Sequence, residues 1–272
     1  MSPTAIIAGE GVLPGLLCAS LAGQDIVLAE LEGFPASLPG KSAERFRIER
    51  LVPFLDRLRE LGVGRICFAG AVRRPRLEPE MFDPRTAQLV PRLLAAMRSG
   101  DDAALRAVIG IFEEWGFEVV GAGDIAPDLV PGAGVLAGTV TDADARDADR
   151  AAEIVAALGA VDVGQGAVVA QGLCLAVEAL PGTDAMLDFV AQTGAALRPD
   201  PKGARGVFYK APKPGQDRRI DLPALGPETL RRAAKAGLAG IAWEASGALL
   251  LGREEMVAEA ERLGLFLWAR EP

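Results

Sequence analysis

Residues 4–11 of this chain read Thr-Ala-Ile-Ile-Ala-Gly-Glu-Gly, and this stretch predicts the fold of the first half. The run from Thr4 to Ala8 is short, apolar and partly β-branched, as is typical of a buried strand. Gly9 and Gly11 favour a tight turn, and Pro14 suits the first turn of a helix. The stretch therefore predicts a strand, a tight turn and a helix in direct succession.

The alternation of strands and helices continues to about residue 120. Further strands are predicted at 26–29, 65–71 and 117–120, and helices at 14–22, 49–61, 89–97 and 101–115. Such alternation is typical of a parallel sheet, so we expect a Rossmann-like α/β domain. Residues 126–138 are rich in Pro, Gly and Ala, which indicates a domain boundary. We therefore expect an N-terminal domain at 1–131 and a distinct C-terminal α/β (α+β) domain at 136–272.

The second half has a different pattern of elements. Two apolar runs, 167–170 and 174–177, flank a Gln-Gly pair and predict a hairpin. Further strands are predicted at 206–210 and 264–268, and helices at 144–158, 184–194, 227–236 and 254–263.

Histidine is absent from the 272 residues, and acidic residues exceed basic ones by 37 to 29. Without histidine, Ser-His-Asp and Cys-His catalysis and histidine-ligated zinc are excluded. A bound metal would rest mainly on carboxylate oxygens, the ligands that suit Mg²⁺ or Mn²⁺. The net charge of −8 also argues against nucleic acid as a main partner.

The cysteines and the hydropathy pattern bear on location. Cys18, Cys67 and Cys174 lie far apart in apolar surroundings, which favours a reduced compartment and buried thiols. The longest uncharged stretch, 163–177, has fifteen residues, whereas a membrane-spanning helix needs about 20 apolar residues. We therefore expect a soluble cytoplasmic protein that can still contact a membrane surface.

The first candidate site is the turn at Gly9-x-Gly11. Glycines at this point let a backbone approach phosphates at a helix N-terminus, and Glu30 follows about 20 residues later, as in dinucleotide-binding domains. Pro14 stands where that fingerprint has its third glycine. A nucleotide site and a plain strand–helix turn both remain open, and an NAD site is the less favoured form of the first.

The second candidate site is a cluster of lysines. Arginine supplies 24 of the 29 basic residues, yet Lys202, Lys210 and Lys213 fall within twelve residues. A compact ammonium offers a point charge to a phosphate oxygen. Asp217 and Asp221 follow in a proline-flanked segment, where carboxylates near cations can hold Mg²⁺ or activate water. A solvated charged loop is the alternative.

Other candidates have equally simple structural explanations. Glu178 follows an apolar run, and Thr183 or Asp184 can cap a helix whose N-terminus also attracts phosphate. Arg74 lies in an Arg-Arg-Pro sequence that fits either an anion site or a solvated loop, and Leu13 fits an apolar core. The aspartates within 142–149 lack the spacing of a calcium loop and favour a solvated helix start.

Motifs over nearly the whole chain are similar to those of one known family. They are IAGEGVLP at 7–14, GAVRRP at 70–75, GQGAVV at 164–169, EALPGTDAM at 178–186, KAPKPGQDRRIDLPALG at 210–226, and AGLAGIA at 236–242 followed by Glu244. These stretches resemble the LpxI-type UDP-2,3-diacylglucosamine pyrophosphatases. The segment from Lys210 to Asp221 is the most specific part, and Glu10 departs from the small residue expected in the N-terminal turn.

The resemblance implies a hydrolase of lipid A biosynthesis. Such an enzyme cleaves the pyrophosphate of UDP-2,3-diacylglucosamine into UMP and 2,3-diacylglucosamine 1-phosphate (lipid X), and it depends on Mg²⁺, for which Mn²⁺ is an alternative. It also implies two domains with the substrate between them. A pyrophosphate needs cations and a metal but no histidine, so this reaction agrees with the composition.

Our mechanistic hypothesis assigns roles to the candidate residues. We expect Asp217, Lys210, Lys213 and Gln216 to be catalytic, with Asp217 as the first choice for a metal ligand or water-positioning base. The other expected metal ligands are Asp221, Asp184 and Glu178. The expected substrate-binding residues are Gly9, Gly11, Leu13, Gly70, Arg74, Gln165, Thr183 and Asp184.

The substrate class implies a cytoplasmic protein that is peripheral to the inner membrane and contacts its surface transiently. A homodimer is a further expectation, and no nucleic acid partner is expected. Two other functions stay open at this point. Gly9, Gly11 and Glu30 would suit an NAD-linked oxidoreductase, and the same charges would suit a non-catalytic protein that binds nucleotide sugars.

Overall fold

A computed structural model of the chain describes residues 2–36, 38, 42–73, 75–98 and 101–272, with only the backbone at 101 and 102. The chain forms two compact units. The first comprises Met1–Pro127 together with Arg219–Asp221, and the second comprises Asp128–Arg218 and Leu222–Pro272. In the described part of the chain, no helix combines the length and the apolar character that crossing a bilayer requires.

The first unit is built on a parallel sheet with the strand order β3-β2-β1-β4-β5. Its strands are β1 (Thr4–Ala8), β2 (Ile26–Leu31), β3 (Glu44–Phe46), β4 (Arg65–Ala69) and β5 (Glu118–Val119). Its helices are α1 (Leu13–Ser20), α2 (Leu51–Glu60), α3 (Pro84–Ala87), α4 (Val90–Arg98), α5 (Asp101–Glu114) and α6 (Ala122–Ile125). The predicted parallel α/β fold is confirmed. Strand β3 was not predicted because Glu-Arg-Phe carries no apolar run.

Periodic apolar residues explain why these elements pack together. On α2, Leu51, Leu55 and Leu58 recur at helical spacing and are buried with the strands of the sheet. The short excursion at 219–221 belongs to the same unit, where Ile220 packs against this core. Arg219 donates to the Glu113 carboxylate at 2.7 Å. The first unit therefore incorporates three residues from late in the chain.

The second unit contains a mixed sheet with the strand order β6-β13-β11-β9-β7-β8. The strands of this unit are β6 (Gly134–Ala137), β7 (Gly166–Ala170), β8 (Leu173–Val177), β9 (Val207–Lys210), β10 (Ala224–Leu225), β11 (Gly240–Glu244), β12 (Leu249–Leu250) and β13 (Phe266–Arg270). Its helices are α7 (Asp142–Ala160), α8 (Gly182–Leu197), α9 (Pro227–Lys235) and α10 (Arg253–Leu263). Strands β10 and β12 pair separately. The expected distinct α/β domain is confirmed.

Apolar clusters cover both faces of this mixed sheet. One contains residues of α7 such as Ala148 and Val155, and the other contains Leu187 of α8 together with Trp243. The predicted hairpin is formed by β7 and β8, with positive φ angles at Gln171 and Gly172. Every residue of β7 is buried, which fits its continuous apolar run, whereas β8 is mostly exposed despite a similar run.

Several details of the second unit were not predicted. Strand β6 lies inside the segment that was interpreted as a boundary, and β11 was not assigned to a strand. The last strand begins at Phe266 rather than Gly264, because Gly264 has φ +65° and ends α10. Cys18, Cys67 and Cys174, all within the described residues, form no disulfide. Cys174 is exposed on β8, so the expectation of a buried thiol is wrong there.

Candidate active site

The carboxyl ends of three strands lie at one edge of the mixed sheet. Strands β9, β11 and β13 are parallel and end at Lys210, Glu244 and Arg270. Strand β7 runs the other way and pairs Gly166 with Lys210, and β8 ends beside it, immediately before Glu178. At such an edge, polar side chains from separate strands lie close together, and the paired strands hold them in fixed positions.

Lys210 forms a closed triangle of contacts at this edge. Its Nζ donates to Thr183 Oγ1 at 2.8 Å and lies 3.7 Å from Glu178 Oε1. Thr183 in turn donates to Glu178 Oε1 at 3.0 Å. Lys210 and Glu178 are both more than nine-tenths buried. Burial of an ammonium is costly without a paired anion, so Glu178 compensates the charge and fixes its position.

Two glycines leave room for Glu178. A Cβ at Gly164 would lie 1.9 Å from the Glu178 carbonyl oxygen, and a Cβ at Gly166 would lie 2.6 Å from Glu178 Oε2. Gln165 lies between these two glycines. Among the described residues, neither Glu178 Oε2 nor Gln165 Oε1 has a hydrogen-bond partner, although both atoms are buried. Buried acceptors of this kind suit the donors of a ligand or a cation.

The segment after Lys210 is held by a tight turn. Pro214 and Gly215 form its corner, with φ +76° at the glycine, and the Gln216 amide donates to the Lys213 carbonyl at 3.1 Å. The Gln216 side chain accepts from the Lys213 amide at 2.8 Å, and the Lys213 ammonium pairs with Asp162. These contacts fix the backbone immediately before Asp217.

The carboxylates proposed as metal ligands do not gather into one cluster. Among the described residues, no group of three or more histidine, cysteine, aspartate or glutamate side chains is placed to hold a metal ion. Glu178 is engaged by Lys210, and the 60% exposed side chain of Asp184 pairs with Arg232. Mg²⁺ needs only one or two carboxylates when phosphates and water complete its shell, so Asp217 beside the turn fits such an ion.

The glycines of the first unit serve a close approach of two backbones. Glu10 and Ala71 exchange backbone hydrogen bonds at 2.9 Å in both directions. A Cβ at Gly9 would lie 2.6 Å from the Ala71 carbonyl oxygen, and a Cβ at Gly70 would lie 2.6 Å from that of Glu10. Gly9 and Gly70 are thus explained by packing between the ends of β1 and β4, with or without a ligand.

The other predicted residues of this region are less informative. Gly11 adopts φ +100° and is exposed, and Leu13 is the first residue of α1 and half-buried. Arg74 lies outside the described residues. The roles of these three residues in substrate binding therefore remain predictions.

Glu30 is already bound by its own unit. Its carboxylate accepts from Arg45 Nε at 2.7 Å and from the Ala36 amide at 3.0 Å. The hydrogen bond from Arg45 lowers the pKa of Glu30. In a dinucleotide-binding domain the equivalent acid binds ribose hydroxyls. Here the carboxylate fixes the chain after β2, which weakens the NAD interpretation.

Sequence reasoning missed part of the polar network at the sheet edge. Arg218 pairs with Glu244 at 2.5 Å, and Asp162 is the partner of Lys213. Arg218 beside Asp217 and Glu244 in the family motif were visible, but β11 was not predicted and the contact between the two residues depends on strand order. A cavity of about 570 Å³ in this unit lies at the opposite edge, beside Gly138 and Phe266, away from these residues.

The fold and this arrangement define a class of protein. It is an α/β protein of two units, in which a buried lysine and acids paired with basic side chains lie at one edge of a sheet, and this combination suits a phosphorylated ligand. Residues 3–129 match the LpxI N-terminal domain, and residues 132–268 match the LpxI C-terminal domain. The chain is 41% identical over 277 residues to the UDP-2,3-diacylglucosamine pyrophosphatase LpxI of Caulobacter vibrioides, covering 100% of this chain and 99% of that protein. This chain belongs to the LpxI family.

Proposed function

We propose that this chain is a UDP-2,3-diacylglucosamine pyrophosphatase of lipid A biosynthesis, which releases UMP and 2,3-diacylglucosamine 1-phosphate. The observation that carries this proposal is the full-length match to a named relative at 41% identity. The mixed sheet supplies a buried cation with a fixed position, as hydrolysis of a doubly charged pyrophosphate needs. The substrate and product follow from the name of that relative.

Lys210 is the group that we assign to the phosphates. Its ammonium is held by Thr183 and Glu178 before any substrate arrives. Donors that are already oriented stabilise developing charge without reorganisation, which makes them most effective in catalysis. Lys213 and Gln216 lie at the neighbouring turn, where they can bind further phosphate oxygens.

Asp217 is the residue that we assign to Mg²⁺ or to the attacking water. When bound, the metal would neutralise phosphate charge and favour formation of a nucleophile from water. Asp217 follows a turn that is fixed by Pro214, Gly215 and Gln216, so its carboxylate starts from a restricted position. Mn²⁺ shares the preference for oxygen ligands and serves as the alternative ion.

Release of UMP from UDP-2,3-diacylglucosamine tests the function, with and without EDTA. We expect Mg²⁺-dependent turnover, and Asp217→Asn lowers it by about 10²–10⁴-fold because a metal ligand or base is lost. Asp142→Asn is the matched control, since this exposed aspartate lies in the first turn of α7. UDP binding without UMP release would support the non-catalytic alternative, and near wild-type turnover by Asp217→Asn would remove Asp217 from the mechanism.

We also propose a cytoplasmic protein with transient contact at the inner-membrane surface, because the substrate carries two acyl chains. Vesicle flotation tests this proposal. Weak, salt-sensitive association with vesicles that carry the substrate is expected, and tight, salt-resistant integration contradicts it.

A further inference from the structure

We infer that Glu244 is a positioning residue that holds Asp217 in place through Arg218. This inference rests on the proposed function, in which Asp217 acts on the pyrophosphate. Glu244 is the last residue of β11, a strand that pairs with β9 on one side and β13 on the other. The anchor therefore lies at the end of an interior strand of the mixed sheet.

The backbone at Glu244 is fixed independently of its side chain. The Gly247 amide donates to the Glu244 carbonyl at 2.8 Å, which closes a tight turn. A Cβ at Gly247 would lie 2.9 Å from Pro212 Cδ and 3.0 Å from the Glu244 carbonyl oxygen. This turn also packs against the start of the segment that carries Asp217. The Glu244 side chain is only 16% exposed, so few alternative positions are open to it.

Arg218 connects this anchor to Asp217. Its guanidinium lies 2.5 Å from Glu244 Oε1, and its backbone directly follows Asp217. On the other side of Asp217, Gln216 is bound to Lys213 through backbone and side chain. Asp217 thus stands between two restrained neighbours. The next residues, 219–221, belong to the first unit, so Arg218 is the residue of the second unit that directly precedes this excursion.

The ion pair between Arg218 and Glu244 is expected to contribute little to the stability of the fold. Arg218 is 51% exposed, and ion pairs with one exposed partner contribute little to the stability of a fold. Loss of the pair would instead remove one restraint on the backbone beside Asp217, and a displacement of about 1 Å can lower a rate by as much as 10²-fold. A large effect on turnover with a small effect on unfolding is therefore the signature of positioning.

The test uses Glu244→Gln in the full chain, with steady-state release of UMP and hydrogen exchange of the substrate-free protein. We expect kcat to fall by roughly 10–100-fold, KM to stay within about twofold, and the melting temperature to change by less than about 2 °C. Amides of residues 213–218 exchange faster in the variant. Glu259→Gln is the matched control, because Glu259 is 14% exposed and pairs with two arginines of the same unit, and it leaves kcat unchanged.

Arg218→Ala and the double variant complete the test. If the two residues act as one clamp, Arg218→Ala reproduces the loss in kcat, and the double variant is no slower than either single variant. Additive losses, or wild-type kcat and wild-type exchange in Glu244→Gln, overturn the inference. Absence of turnover in the wild-type chain contradicts the proposed function instead, and the exchange measurement then still decides whether Glu244 restrains the segment.

Discussion

Two of the Gly-x-Gly sequences that stand at strand ends in this molecule, at 9–11 and at 164–166, have different roles. At Gly9-Glu10-Gly11, the first glycine lets one backbone approach another, as the 2.6 Å distance from a Gly9 Cβ to the Ala71 carbonyl oxygen shows. At Gly164-Gln165-Gly166, both glycines make room for Glu178, which in turn fixes Lys210. The first pair allows two backbones to pack closely, and the second allows Glu178 to hold the Lys210 ammonium in place.

The difference teaches that a glycine pattern indicates a close contact with the backbone but does not indicate which group makes that contact. In the first unit the acid that would recognise a ribose, Glu30, is bound by Arg45 and Ala36. In the second unit a buried cation and two unpartnered buried acceptors, among the described residues, lie near the glycines. The chemistry of the neighbouring side chains therefore decides which turn is a site.

Among the changes that compare the two regions, the largest effect is expected from removing the cation of the second unit. Lys210→Met keeps the apolar stem and removes the ammonium, so kcat falls by about 10²–10³-fold because developing phosphate charge loses a fixed donor. UMP release measures this effect. Arg73→Met is the matched change beside the first turn, where Arg73 is 82% exposed and lies 3.5 Å from Glu10, and less than about a threefold loss is expected there. Equal losses would show that both turns act on phosphate.

Matched alanine substitutions distinguish the roles of the two glycine pairs. In Gly166→Ala, the new Cβ meets Glu178 Oε2 at 2.6 Å, and the carboxylate moves away from Lys210. We expect a loss in kcat of about tenfold or more, because a misplaced donor binds the transition state less well. In Gly9→Ala, the Cβ meets a backbone carbonyl that cannot rotate away, so the free energy of unfolding falls by about 1–3 kcal/mol.

Chemical denaturation and UMP release, measured on both variants, give the decisive comparison. Gly166→Ala is expected to lose more activity than stability, and Gly9→Ala to lose more stability than activity. If Gly9→Ala folds like the wild type yet loses turnover, the first turn contacts the substrate, as the resemblance to the family implied.

Local patterns predicted most of the fold because periodicity and turn residues are local properties. The strands β1, β4 and β9 and the helix α2 follow from short apolar runs and helical spacing. Strand β11 was missed because Gly-Ile-Ala-Trp-Glu lies in a long run of small residues without alternation. The lysine cluster was visible by composition alone.

The contacts of the candidate site could not be predicted in the same way. Glu178 and Lys210 are 32 positions apart, and they meet because β8 and β9 both flank β7. Arg218 and Glu244 meet because β11 ends beside β9. Strand order sets both contacts, and no local pattern encodes strand order.

The smallest effect concerns Glu30, whose pKa is lowered by the hydrogen bond from Arg45. A carboxyl with a lowered pKa in the folded state stabilises the fold above its unfolded pKa of about 4.5, and this contribution is lost as the pH falls through the folded value. Glu30→Gln is therefore expected to lower the melting temperature at pH 7 by a few degrees and to converge with the wild type as the pH falls through the lowered pKa of Glu30 in the folded state. Melting curves across this range measure the difference, with Glu80→Gln on the exposed surface as control.

NADH titration of the wild type tests whether Glu30 also binds a nucleotide. Tight binding that Glu30→Gln abolishes would make the first turn a nucleotide site. A stability effect without NADH binding identifies Glu30 as a structural acid.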